Sequence, residues 1–358
     1  MFSEMPLTIA DVAEAAGVSA ATVDRALNGR AGVHARTRSR VMRAALRIGY
    51  VEPRPGDGQE PPAAQPDEVR LAFVVPGGTN TFLANLSRSL QAAARMVPQV
   101  RLSLHRLDTY RPEMLADGLR SVAAGAEGIG VIALDHPVVR EAIRDLAAAG
   151  KQVLTLVSDI SDVPRRAYVG IDNRAAGRLA GHLMGRFLPH AEGEVALFAG
   201  SLRYRGHEER EMGFRRICAE DFPGLDPLPT LEIEDDASRS YDAADLLLAR
   251  HPALVGAYCI GGGVRGIARA LQERGRAGQV VFIGHELTEH TSRFLISGTM
   301  DAVIDQDPAA EARRAVELLA GAVRGEAVPA TTMLRTQAVF RENIPDDAAL
   351  HEKTGGDP

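Results

Sequence analysis

At 358 residues, 45% hydrophobic and 25% charged, the chain has the composition of an ordinary globular protein with length for two or three domains. It holds no run of about 18 apolar residues, no basic start leading into an apolar stretch, and only two widely separated cysteines, Cys218 and Cys259, which argues against a membrane span, a signal peptide and a disulfide or zinc scaffold, so a cytoplasmic chain is expected. The net charge of −6 hides a division: residues 1–55 carry eight arginines against five acids, a net of +3, which leaves −9 for the rest and confines phosphate attraction to a small basic head.

Thr8, followed three residues later by Asp11, forms a capping box that opens a helix with apolar positions Ile9, Val12, Ala13 and Ala16, and Gly17 ends it in a tight turn. Ser19 caps a second helix whose Val23, Ala26 and Leu27 face the first, leaving Ala21, Asp24, Arg25 and Asn28 as the opposite stripe. A third helix is predicted from Thr37 to Arg47, with Val41, Ala44, Ala45 and Ile48 turned inward. Two short helices about a glycine turn, closed by a third, form the helix-turn-helix that lays a recognition helix in the major groove of DNA.

The run Thr8-Ile9-Ala10-Asp11-Val12-Ala13, then Ala16-Gly17-Val18-Ser19, Ala21-Thr22-Val23, Arg25, Leu27-Asn28, Val33, Thr37-Arg38 and Gly49-Tyr50, resembles the headpiece of the lac-repressor (LacI/GalR) family over its whole length. The resemblance implies a transcription regulator that binds double-stranded operator DNA. It implies that Ala20, Ala21 and Arg25 face base edges and that Thr22, Asn28, His34 and Thr37 lie near phosphates, with the capping residues Thr8 and Ser19 in the same DNA-facing set. The chemistry agrees, because an arginine contacting guanine O6 and N7 contributes about 1–3 kcal/mol of discrimination whereas alanine methyls only touch thymine methyls. Asp24 departs from the family's usual serine, and three roles stay open for it: accepting from a cytosine amino group, holding Arg25, or repelling phosphates.

Residues 52–68 contain prolines 53, 55, 61, 62 and 66, two glycines and almost nothing apolar, and read as a linker. The family places here a hinge helix whose leucine wedges into the minor groove; the prolines preclude that helix, so weaker operator bending is expected.

From Val69 onward short apolar runs alternate with amphipathic helices. Predicted strands are Val69–Val75, Val100–His105, Gly128–Ala133, Gln152–Val157, Ala167–Ile171, Glu194–Ala199, Leu228–Glu234, Val255–Ile260, Val280–Gly284 and Asp301–Asp305. This alternation means parallel sheets covered by helices on both faces, and about 270 residues suffice for two such units. The expected architecture is therefore α/β: an all-α headpiece at 1–51, a linker at 52–68 and a two-lobed α/β/α domain at 69–345. Lobe 1 is expected at about 69–171 plus 301–330 and lobe 2 at about 172–300 plus 331–345. The tail, 346–358, lacks the apolar heptads of a tetramerising helix, which favours a homodimer.

Residues 69–342 further resemble the periplasmic sugar-binding-protein fold that the LacI/GalR family uses as its sensor, which implies a small sugar or polyol as effector, held at the carboxyl ends of the strands between the lobes. By that resemblance Asn80 and Phe82 border the cleft, Arg210 in Arg210-Glu211-Met212-Gly213-Phe214 matches a ligand-contacting arginine, and Gln306 matches a ligand-contacting glutamine near the lobe crossover. Glu286 stands where aspartate is usual, and Gly261-Gly262 replaces a polar residue often found there, with Gly262 kept among the cleft residues. Asp135, His136, Asp159 and Asp172 are further strand-end candidates. Asp159 and Asp172 have a second reading as helix caps, and Phe82 a second reading as helix core. Carboxylates, amides, an arginine and an aromatic face suit hydroxyls, each of which both donates and accepts.

Two enzyme-like motifs remain. His285-Glu286-Leu287-Thr288-Glu289-His290 places its histidines five apart, about 140° around a helix, so they cannot share a zinc ion. Gly261-Gly262-Gly263-Val264-Arg265-Gly266 follows a strand, with Glu286 some twenty residues on, and offers the alternative of a helix-turn-helix redox regulator sensing a dinucleotide. The chain shows no P-loop, nucleophile elbow or acid–base pair, and neither catalysis nor a metal or cofactor is expected.

Overall fold

The computed structural model describes residues 8–28, 33, 35–47, 50, 68–189 and 192–345, and the chain divides between Glu68 and Val69 into two compact units. Residue 48, residues 52–67 of the linker and the tail from 346 lie outside the described residues.

In the first unit, α1 (Ile9–Ala16) opens with the expected capping box, the Thr8 backbone N–H donating to Asp11 Oδ2 at 2.6 Å. Gly17 ends it at φ 60, a conformation open to glycine at no steric cost, and the next N–H, of Val18, returns to the Ala13 carbonyl. The Ser19 hydroxyl accepts from Thr22 N to start α2 (Ala20–Leu27), and α3 (Ala35–Arg47) begins two residues before the predicted start. Val12, Ala13, Ala16, Val23, Ala26, Val41, Ala44 and Ala45 close one small core. Alanines dominate it because only short side chains let three helices of this length approach closely.

In the second unit the first-lobe elements run β1 (Val69–Pro76), α4 (Thr81–Met96), β2 (Val100–Leu107), α5 (Pro112–Val122), β3 (Gly128–Val131), α6 (Pro137–Ala148), β4 (Gln152–Leu156) and β5 (Ala167–Gly170). The chain then crosses to α7 (Asn173–Phe187), β6 (Gly193–Ala199), α8 (Arg205–Asp221), β7 (Leu225–Pro227), β8 (Leu231–Glu232), α9 (Ala237–Arg250), β9 (Leu254–Cys259), α10 (Val264–Glu273), β10 (Val281–His285), α11 (Glu289–Ile296) and β11 (Ala302–Asp305). It ends with α12 (Pro308–Arg324), β12 (Thr331–Met333) and β13 (Gln337–Val339). One sheet has the order β12-β5-β4-β3-β1-β2, the other β13-β11-β10-β9-β6-β7, with β8 beside β6. All pairings are parallel except β11 with β13. The inner strands β3 and β5 are buried along their whole length, which is why they read as continuous apolar runs, whereas β2 at the edge is only part-covered.

The lobe boundaries differ from the expected ones at the C-terminal side. β11 pairs with β10 and so belongs to the second lobe, and the crossing comes after it, at Asp305–Pro308; β12 pairs with β5 in the first lobe before β13 returns to the second. Apolar content alone does not say which sheet a strand joins, since both cores offer the same kind of partner. The predicted strand Leu228–Glu234 shortens to Leu231–Glu232, and the missed β7 ends in Pro227, which an edge strand tolerates because its N–H need not pair. Among the described residues no helix is long and apolar enough to cross a membrane.

Candidate functional site

On the first unit, Ala20, Ala21, Arg25 and Asn28 form the exposed side of α2, opposite buried Val23 and Ala26. Arg25 Nε donates to the Ala21 carbonyl at 3.1 Å, so the side chain lies along its own helix. Asn28 Nδ2 donates to Asp24 Oδ1 at 2.7 Å, a role outside the three left open for this carboxylate. Thr8 and Ser19 are exposed caps, Thr22 Oγ1 lies 2.8 Å from Ser19 Oγ, Thr37 is half-buried on α3, and His34 lies outside the described residues.

On the second unit, the carboxyl ends of the strands of both lobes face a cleft of about 890 Å³ measured out to its open mouth. Asn80 caps α4 just after β1, and Phe82, on the first turn, both lines the cleft and belongs to the first-lobe core. Arg210 projects from α8 and is 3% exposed: Nε donates to Asn173 Oδ1 at 2.7 Å and Nη1 to the Ile260 carbonyl at 2.9 Å, with Glu286 Oε1 3.9 Å away. The Arg-x-x-Gly spacing has a packing cause. A Cβ on Gly213 would overlap the Arg174 carbonyl oxygen and one on Gly177 the Arg210 carbonyl oxygen, so these glycines let α7 and α8 meet backbone to backbone and fix where Arg210 points.

Glu286 follows β10 at φ 69, a costly conformation for glutamate that turns its carboxyl into the cleft. Its Oε1 accepts from Gln306 Nε2, its Oε2 has no partner among the described residues, and burial pushes its carboxyl well above the usual range. Gln306 therefore acts from behind Glu286 and does not line the cleft. His285 is hydrogen-bonded to the Tyr258 hydroxyl through Nε2 at 2.8 Å, leaves Nδ1 without a partner among the described residues, and is held by burial well below its usual pKa. At the crossover, Glu311 Oε1 accepts from Val157 N at 2.9 Å beneath the cleft floor, and burial pushes its carboxyl up to about 8.

Asp135, His136, Asp159 and Asp172 serve other ends. Asp135 pairs with Arg140 at 2.6 Å, Asp159 pairs with Arg165 and accepts from Thr155, and His136 and Asp172 cap α6 and α7. A strand-end carboxylate near an arginine or a free helix start satisfies that neighbour first, because the local bond costs no loop ordering. The sequence reading missed Tyr110, Tyr204, His207 and Asp235, all of which line the cleft. Asp235 stands one residue past a predicted strand and carried the same signal as the candidates chosen; the tyrosines carried none.

The glycine run Gly261–Gly266 lines the same cleft, yet Gly262 N already donates to Asp235 Oδ1 at 2.7 Å, so a carboxylate occupies the amide that a pyrophosphate needs. Gly266 serves packing, since a Cβ there would overlap the Ala237 carbonyl oxygen of α9's first residue. His285 ends a strand while His290 sits on the following helix, and among the described residues no group of three His, Cys, Asp or Glu is placed to hold a metal ion.

Residues 8–52 match the family described as bacterial regulatory proteins, lacI family, and residues 71–327 match the family described as periplasmic binding protein domain. Over more than half its length the chain belongs to the periplasmic binding protein domain family, and it carries a lacI-family headpiece at its N-terminal end. Catabolite control protein A of Priestia megaterium is 26% identical over 233 residues, 65% of this chain and 66% of that protein. The transcriptional repressor PurR of Vibrio cholerae is 24% identical over 277 residues, 75% of this chain and 77% of PurR. The fold is shared with GanP, a glucose-galactose binding protein from Geobacillus stearothermophilus, at a TM-score of 0.71 and 23% identity, covering 78% of this chain and 99% of GanP.

Proposed function

We propose that this chain is a cytoplasmic, dimeric transcription repressor that reads operator DNA with α2 and senses a small sugar or polyol in its interlobe cleft. The observation that carries the reading is the convergence of Asn80 from the first lobe with Arg210, Asp235 and Glu286 from the second on one cleft, a mix of donors and acceptors that suits hydroxyls. A ligand touching both lobes favours the arrangement in which they meet, and can shift the protein only by its differential affinity for that state. Two heads per dimer match a pseudo-palindromic operator and bind together by effective concentration.

The test is fluorescence anisotropy of purified protein with the promoter upstream of its own operon, paired with thermal shift against sugars, polyols and NADH. Salt-sensitive, sequence-selective binding that a sugar or polyol alters supports the reading. Absence of selective binding with and without these compounds overturns it, and stabilisation by NADH alone transfers the site to a dinucleotide.

A further inference from the structure

The polar side chain expected at 261 or 262 is absent, and the space it would fill is taken by Asp235, which reaches in from the loop after β8. A Cβ on Gly261 would lie 2.7 Å from Asp235 Oδ1, one on Gly262 would lie 2.8 Å from Asp235 Cβ, and one on Gly200 would fall on the same carboxylate. Glycines from two loops thus keep one carboxylate clear. The backbone is bent to deliver it, since Glu234 and Asp235 are consecutive non-glycine residues at φ 51 and 53.

The two oxygens of Asp235 face different lobes. Oδ1 accepts from Gly262 N at 2.7 Å in its own lobe, and Oδ2 accepts from Asn80 Nδ2 at 3.2 Å across the cleft. The Tyr110 hydroxyl of the first lobe stands beside it, the phenol pushed upward by burial and then by the nearby charge of Asp235. Tyr110 meets the second lobe's Tyr204 edge-on at 5.7 Å between ring centroids, and the Tyr204 hydroxyl is hydrogen-bonded to Thr109.

We propose that Asp235 is the positioning residue of the cleft: replacing the side chain missing at 261 and 262, it ties Asn80 and Tyr110 of the first lobe to the second and so sets how far the lobes close. This goes beyond the effector reading and stands whatever the ligand is.

The test uses the full chain without effector, carrying nitroxide labels at Glu113→Cys on α5 and Asp242→Cys on α9, both exposed, with native Cys218 and Cys259 buried. Asp235→Asn keeps an oxygen for Gly262 N, and its amide nitrogen cannot accept from Asn80. Pulsed electron paramagnetic resonance is expected to show a second population at longer interlobe distance for Asp235→Asn. Asn80→Ala should give the same population, and the double variant no more than either. Asn80→Ala alone carries the measurement if Asp235→Asn does not fold. An unchanged distance distribution, or shifts of the two variants that add, overturns the proposal. Gly200→Ala should lower the urea midpoint in the wild-type background and much less in an Asp235→Ala background; an equal loss in both also overturns it.

Discussion

Replacing Glu311 by glutamine tests whether a carboxyl buried beneath the cleft floor sets the pH range in which the sensor is stable. Glu311 lies fully buried in the first turn of α12, with Val157 N donating to Oε1 and no partner for Oε2 among the described residues. Burial raises its carboxyl from 4.5 to about 8, against the opposing pull of the Val157 N–H and the Arg210 charge. A carboxyl whose folded pKa exceeds its unfolded one holds more protons when folded, so the protein loses stability as pH rises between those two values. At about 1.4 kcal/mol per unit the interval amounts to about 5 kcal/mol, which falls to about 3–5 kcal/mol once neighbouring groups readjust. Glutamine keeps the acceptor for Val157 N and does not titrate; His207 and His285 titrate in both proteins, whereas Glu286, whose carboxyl the Glu311 charge helps to push up, readjusts in the variant and offsets part of the difference. The chain has no tryptophan, so urea unfolding is followed by circular dichroism at about pH 5, 6.5 and 8. The stability advantage of Glu311→Gln over wild type should grow with pH by a few kcal/mol. A difference that stays flat, or narrows as pH rises, refutes the reasoning.

Arg25→Ala should relax operator selectivity at one base pair by about 1–3 kcal/mol in competition anisotropy, leaving effector binding intact. Arg210→Ala should abolish the effector response and leave operator binding, because the two arginines sit on separate compact units; loss of both activities in both variants contradicts that division. Gly177→Ala drives a methyl into the α8 backbone at Arg210 and should destabilise the fold by about 1–3 kcal/mol in urea unfolding, with weaker effector binding because Arg210 shifts.

The headpiece was legible nearly residue by residue. Thr8 with Asp11, Gly17, and Ser19 with Thr22 are caps and turns whose bonds close within four positions, so the pattern along the chain contains both partners. In the sensor, the strand runs through Leu228 onward gave the alternation and hence the α/β class. Of the cleft, Asn80, Phe82, Arg210, Gly262 and Glu286 were named and do line it. Asp159 and Asp172 looked no different in sequence, and were claimed by Arg165 and by the α7 N-terminus.

What the chain determined unaided, then, is whatever depends on neighbours a turn or a strand apart: helix starts and stops, the buried stripe of each helix, the βα alternation and the basic head. Tertiary structure decided which sheet received β11 and β12, and which carboxylate reached the cleft. Asp235 meets Asn80 across 155 positions because the crossing after β5 carries the chain into the second lobe and the cleft brings the two strand ends back together, and no local pattern records a contact whose cost and gain are both set by distant backbone.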